Sequence, residues 1–282
     1  MTSDKAPADL RNDTEVQRVR KIPGLFTASL SDRWNYMNPC GGVLMTVALR
    51  AMEEELADPR LSLLSATTLF CQAVLAGPMS IAVTILRRGE TAAQVKATLS
   101  SAALPGPGLE VLATFAKDLG GPDVHGVAMP EVEKPSSSRR MNGRGTPFPI
   151  FENIEIVPGL GDPMWTDDGT QAPAHVAYWY RYVVPQTRDG LFDPLAIPPL
   201  ADSMPPALVR RLGKGAPRYM MPSLDLTVYF LESAKTEWLL VESFVERARA
   251  GYAVGSANLW SEDGVLVARA AQSMTLRARK KS

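Results

Sequence analysis

Two long stretches of this chain carry strand-like and helix-like spacing of apolar residues, and a poorly patterned middle separates them. The first runs from about Leu25 to Leu119 and the second from about Val176 to Arg277. Each predicts the same order of elements: an early strand, then a helix, then a series of long strands. The early strands are Phe26 to Leu30 and Tyr178 to Val184. In the first block Val43, Val47, Leu49-Arg50-Ala51 and Leu56 fall at helical spacing behind the Gly41-Gly42 break, which predicts a helix from about Val43 to Leu56. In the second block the helix is predicted over Pro205 to Leu212, opened by Asp202. Strand-like stretches follow at Leu224 to Leu231, Trp238 to Arg249, Tyr252 to Ser261 and Leu266 to Arg277. Glu262-Asp263-Gly264 reads as a tight hairpin turn between the last two.

The two blocks also repeat each other. A shift of 160 residues lays Thr67-Thr68-Leu69-Phe70 on Thr227-Val228-Tyr229-Phe230. The same register brings Met79 to Val83 onto Leu239 to Ser243, Arg87 onto Arg247, and Ala97 and Leu99 onto Ala257 and Leu259. Identities are few, but order and hydrophobic pattern agree throughout, which is the mark of an internal duplication. One helix wrapped by a strongly bent antiparallel sheet, made twice, is the implied α+β architecture. Between the blocks, Gly120 to Pro173 is rich in Pro, Gly and Ser, including Pro135 to Arg140, and reads as a long connector. The expected division is therefore an N-terminal unit over 1–119, a connector over 120–175 and a C-terminal unit over 176–282.

Composition narrows the chemistry. Thirty Lys and Arg balance thirty Asp and Glu among the 282 residues, so no general affinity for nucleic acid or an anionic membrane is expected. The basic run from Arg277 to Lys281 reads as a solvated tail. No apolar run approaches the roughly 18 residues of a membrane span, and Met1 to Lys21 lacks the apolar core of a secretory signal. A cytoplasmic location is expected. Cys40 and Cys71 form no disulfide framework and read as small apolar residues. His125 and His175 stand far apart, which disfavours a Ser-His-Asp hydrolase or a His-ligated metal.

Several short motifs, taken in order, resemble those of the type II acyl-CoA thioesterases, the TesB-like double hotdog proteins. In the first half these are Asn38-Pro39-Cys40-Gly41-Gly42 and Leu86-Arg87-Arg88-Gly89. In the second they are Leu200-Ala201-Asp202-Ser203, Pro222-Ser223-Leu224-Asp225, Glu237-Trp238-Leu239-Leu240, and Asp263 to Ala268 running on to Gln272. The resemblance implies a double hotdog with its sheets paired side by side, acting on acyl-thioesters without a cofactor or metal. It further implies a catalytic set of Asp, Thr or Ser, and Gln that holds a water molecule; carried over, these are Asp202, Ser223 and Gln272. Ser223 stands where the best-known members carry Thr. The repeat supplies a separate check: its register puts Gly42 opposite Asp202, Leu63 opposite Ser223 and, across a longer first-half turn, Ala116 opposite Gln272. Polar groups kept in one copy alone are what one active site per chain predicts.

Thioester hydrolysis needs an activated water and a place for the developing oxyanion. With no His or Cys base in view, a carboxylate would take the proton, its pKa raised in a dry site. The hydroxyl and amide would orient the water. Gly41-Gly42, opening the first helix, is the candidate for the oxyanion site or the pantetheine slot, and Arg87-Arg88 for a phosphate of coenzyme A. Each residue also has an ordinary reading: Asp202 as a helix N-cap, Ser223 as a turn residue, Gln272 as a solvent-facing strand residue, Arg87-Arg88 as surface charge, and Asp225 as a rival carboxylate. The expected substrate is an acyl-CoA or an acyl-carrier protein of polyketide or fatty-acid synthesis, and the expected assembly a homodimer. A catalytically silent acyl-CoA-binding protein is the alternative from another class. A hotdog hydratase ranks below both, because His175 stands outside the start of the second helix.

Overall fold

A computed structural model describes residues 6–135, 148–161, 172–213 and 216–278. Residues 136–140 of the Pro/Ser run and 279–281 of the basic tail lie outside these. After a short helix α1 (Leu10–Asp13) and strands β1 (Gln17–Arg18) and β2 (Leu25–Leu30) comes the central helix α2 (Gly41–Leu56). Four long strands follow: β3 (Ser62–Phe70), β4 (Gly77–Arg88), β5 (Ala92–Ser101) and β6 (Leu109–Ala116). The second half adds β7 (Ile154–Leu160), β8 (His175–Tyr182) and the small hairpin β9 (Thr187–Arg188) with β10 (Leu191–Phe192). Helices α3 (Ile197–Ala201) and α4 (Pro205–Leu212) come next, then β11 (Tyr219–Met220) and β12 (Asp225–Phe230). The chain ends with β13 (Leu239–Arg249), β14 (Tyr252–Ser261), β15 (Leu266–Thr275) and β16 (Arg277–Ala278).

Helix α2 is apolar almost all round, with Val43, Met45, Val47, Ala48, Leu49, Ala51 and Met52 fully buried, so it can only sit inside a core. The strands around it alternate. In β5 and β6, Ala93, Val95, Ala97, Leu99, Leu109, Val111, Ala113 and Phe115 turn inward, while their neighbours face out. Period-two patterning on one side and an all-apolar helix on the other leave one solution: the sheet curls round the helix.

Twelve strands form one sheet in the order β1-β2-β4-β5-β6-β3-β12-β15-β14-β13-β8-β7. Its two halves mirror each other about the antiparallel β3–β12 pair, where Thr67 faces Thr227 with their hydroxyls 3.0 Å apart. These two residues are related by the sequence shift of 160, so the repeat's local two-fold axis passes between them. Bulges fall at Ile85/Arg87 in β4 and at Val245/Arg247 in β13, again 160 residues apart. The bent sheet round a helix, made twice, that the pattern predicts is observed, and with it the double hotdog that the resemblance implies.

Two features differ from expectation. The segment assigned to a connector contributes the edge strand β7, which pairs with β8, and a strap in which Met129 and Val132 pack on the outer cluster of Trp179, Leu240 and Trp260. The indole of Trp179 donates to the Glu133 carbonyl at 2.8 Å. Pro158 and Gly159 hide this strand's alternation, and a proline is tolerated there because β7 lies at the sheet edge. The early strand of the second half also begins and ends before the expected Tyr178 to Val184, at His175–Tyr182. No helix among the described residues is long and apolar enough to cross a membrane.

The second half's helix is broken in two, and its first piece, α3, lies against the start of α2. A β-carbon on Gly42 would stand 2.2 Å from the Pro198 carbonyl oxygen and 2.6 Å from the Pro199 Cα, so only glycine allows this approach. Both neighbours are backbone and cannot rotate away. Gly42→Ala is therefore expected to lower stability by about 1–3 kcal/mol or more. The change would be read from the urea midpoint, with Gly126→Ala, which meets nothing within 4 Å, as the unaffected control.

Candidate active site

Asp202 follows α3 directly and forms its C-terminal boundary, its N–H bonding the Pro198 carbonyl at 3.1 Å. This corrects the expectation that it opens α4: Met204 occupies that position, with no side-chain cap. The prolines hid α3. Pro198 and Pro199 sit in its first turn, where a missing N–H costs nothing, so a Pro-Pro stretch that reads as linker is helical. The carboxylate instead reaches the other half of the molecule, where Oδ2 accepts the Gly42 N–H at 3.2 Å, at the start of α2. A negative group at a helix N-terminus satisfies a free donor and the helix dipole together.

Its other oxygen meets the C-terminal half. Ser223, just before β12, donates its hydroxyl to Asp202 Oδ1 at 3.0 Å. Gln272 projects from β15, 2% exposed, and its amide nitrogen donates both to Asp202 Oδ1 and, at 2.5 Å, to the Ser223 hydroxyl. The amide oxygen of Gln272 is buried with no hydrogen-bond partner, an acceptor left for something that donates. The three residues that the sequence nominated thus meet, from three separate stretches of chain. The strand pairing also corrects the repeat: Gly255 pairs with Gln272 where Val95 pairs with Ala113, so Gln272 has Ala113, not Ala116, as its counterpart. A bulge at Leu259/Trp260 adds one residue to β15 near this turn.

The environment sets the acidity of this carboxyl. Burial raises the pKa of Asp202, and the bonds from Ser223, Gln272, Gly42 and Cys40 oppose that rise without cancelling it. Cys40 was read from the sequence only as a buried apolar residue. It is buried, but its Sγ lies 3.6 Å from Asp202 Oδ2. Burial pushes its thiol up, and the nearby carboxylate pushes it further, so it stays protonated and is no thiolate nucleophile. The one sequence signal for its place was adjacency to Gly41-Gly42.

Other nominated residues lie elsewhere. Gly41 and Gly42 are at the site, and the Gly42 donor is spent on Asp202. Arg87 and Arg88 are not brought to it: they close β4 beside the β5 hairpin, and Arg88 donates to the Leu56 carbonyl at 2.6 Å. That is the far end of α2, whose 16 residues span about 24 Å from Gly41. Asp225, the rival carboxylate, is engaged by the N–H of Ser273 at 2.9 Å and by its hydroxyl. His175 stacks on Phe244 and lies 3.2 Å from Glu242, away from the trio. His125 is exposed beside Asp123. Among the described residues, no group of three or more His, Cys, Asp or Glu side chains is arranged to hold a metal ion.

The model of the acyl-CoA thioesterase N-terminal domain matches residues 30–116, and that of the C-terminal domain matches residues 127–276. Among solved structures, a conserved hot dog protein from Alicyclobacillus acidocaldarius is similar with a TM-score of 0.82 and 20% identity, over 96% of this chain and 98% of that one. The acyl-CoA thioesterase II TesB2 from Mycobacterium marinum gives 0.74 and 18%, over 97% and 98%. The tesB protein of Mycobacterium avium subs paratuberculosis gives 0.75 and 19%, over 95% and 97%. A search of curated proteins found no match.

The raised pKa of Asp202 carries a stability consequence. A carboxyl that prefers its proton in the folded state weakens folding wherever it is ionised there, and ceases to do so once pH falls below its unfolded value. Asn at this position cannot ionise. The stability of Asp202→Asn relative to wild type should therefore rise with pH, from the ordinary carboxylate range up through the shifted Asp202 value, and then level off. Urea unfolding of both proteins across that range measures it, and a gap that stays flat would refute the raised pKa.

Proposed function

This chain belongs to the acyl-CoA thioesterase family, and from that premise we propose that Asp202, Ser223 and Gln272 aim a water molecule at the thioester carbonyl. Membership supports hydrolysis of acyl-thioesters in general; the assignment of the three residues rests on their convergence. The Ser223 hydroxyl lies 3.0 Å from Asp202 Oδ1 and 2.5 Å from the Gln272 amide nitrogen, which also donates to Oδ1, while their counterparts in the repeat, Gly42, Leu63 and Ala113, carry no polar side chain. A polar cluster maintained in one copy of a duplicated fold is what a single working site requires.

In this reading Asp202 is the general base. Its raised pKa makes the ionised form a better proton acceptor than an ordinary carboxylate. The water oxygen attacks the carbonyl carbon and its proton passes to Asp202. The tetrahedral intermediate then collapses, the carbon–sulfur bond breaks, and the thiolate of coenzyme A leaves and is protonated. Ser223 and Gln272 contribute orientation, and the partnerless amide oxygen of Gln272 is the acceptor for a water proton. Because the Gly42 N–H is held by Asp202, only the dipole of α2, and not that donor, would favour the developing oxyanion.

Thiol release from a panel of short, medium and long acyl-CoAs tests this. Asp202→Asn should lower kcat/KM by about 10²–10⁴ with folding intact, and Ser223→Ala and Gln272→Ala should cost less. Activity should fall on acidification as Asp202 takes up its proton, the acid limb lying above the ordinary carboxylate value and absent from the residual rate of Asp202→Asn. Equal rates for wild type and Asp202→Asn would remove Asp202 from the mechanism. No release by wild type from any substrate would favour a silent acyl-CoA-binding protein.

A further inference from the structure

Phe70 closes β3, and its N–H donates to the Leu224 carbonyl at 2.9 Å, immediately after Ser223. It comes from the N-terminal half, outside the motifs that nominated the trio. A β-carbon on Gly41 would stand 2.7 Å from Cζ and 2.8 Å from Cε1 of this ring, and 3.0 Å from Oδ2 of Asp202. The ring edge and the carboxylate therefore share the space that the missing side chain of Gly41 leaves, and they are direct neighbours. The ring is half-buried, whereas Phe230, its counterpart in the repeat, is packed away in the core at 7% exposure. The same residue is thus closed off in one copy and partly exposed in the copy beside the carboxylate.

We infer that Phe70 is a wall of the acyl slot and limits the bulk a substrate can carry on the carbon bonded to the thioester carbonyl. The inference rests on Asp202 being the base. A water held by Asp202 attacks from about 3–3.5 Å, so the carbonyl carbon lies within a few ångströms of the carboxylate. Its acyl substituent then falls within reach of the neighbouring ring. An aromatic wall there accepts a flat, unbranched chain and rejects a methyl branch at that carbon. In an apolar pocket one methyl group is worth about 10–200-fold in kcat/KM.

The test compares two isomers, butanoyl-CoA and the branched 2-methylpropanoyl-CoA, by thiol release with wild type, Phe70→Ala and Phe70→Leu. The ratio of branched to linear kcat/KM is expected to rise at least about tenfold in Phe70→Ala and by less in Phe70→Leu. Partial unfolding lowers both rates equally and leaves the ratio untouched, and Phe70→Leu serves if the alanine variant fails to fold. A ratio unchanged in both variants of an enzyme that Asp202→Asn inactivates would overturn the role of Phe70 alone. Absence of thiol release from wild type would overturn the hydrolase reading, and this inference with it.

Discussion

The bond from the Gly42 N–H to Asp202 Oδ2 joins the two halves at the one place where chemistry is proposed. It exists because α2 starts with two glycines and because α3 lies close enough to place a carboxylate over the first turn. Everything nearby follows from that approach. Oδ1 is turned toward Ser223 and Gln272, Cys40 is trapped beside Oδ2, and the ring of Phe70 fills the space above Gly41. Neither half could build this arrangement alone: one supplies the helix N-terminus and the ring, the other the carboxylate, hydroxyl and amide.

Around Asp202 two effects oppose each other. Withdrawal from water favours the protonated acid, while three hydrogen-bond donors and a thiol favour the anion. Desolvation wins and raises the pKa, so the ionised group is a stronger base than a surface aspartate. Such a compromise costs folding free energy and is tolerated where proton transfer is required.

The sequence made the duplication and its register legible because period-two burial and an apolar helix leave strong signals, and the facing Thr67 and Thr227 bear the shift out. It nominated Asp202, Ser223 and Gln272 by resemblance, and the fold brings them together. The failures have separate causes. Proline conceals regular structure when it stands in a first helical turn, as in α3, or on a sheet edge, as in β7. The match of Gln272 to Ala116 went astray because the point where each hairpin's pairing ends, with its bulge, cannot be counted from spacing. Nothing local in the sequence says at which end of α2 the strand of Arg87 and Arg88 finishes. Phe70 carried no signal and Cys40 only its adjacency to Gly41-Gly42, because their roles depend on partners about 130 and 160 residues away.

The close backbone approach at Gly42 also bears on the symmetry of the duplication. The register places Gly42 where the other copy has Asp202, so restoring a second carboxylate would mean an aspartate at this position. Its β-carbon would collide with the Pro198 carbonyl, in the segment that carries the first carboxylate. A carboxylate at Gly42 and one at Asp202 therefore exclude each other in this backbone. The asymmetry of the two halves is enforced by sterics as well as by side-chain chemistry.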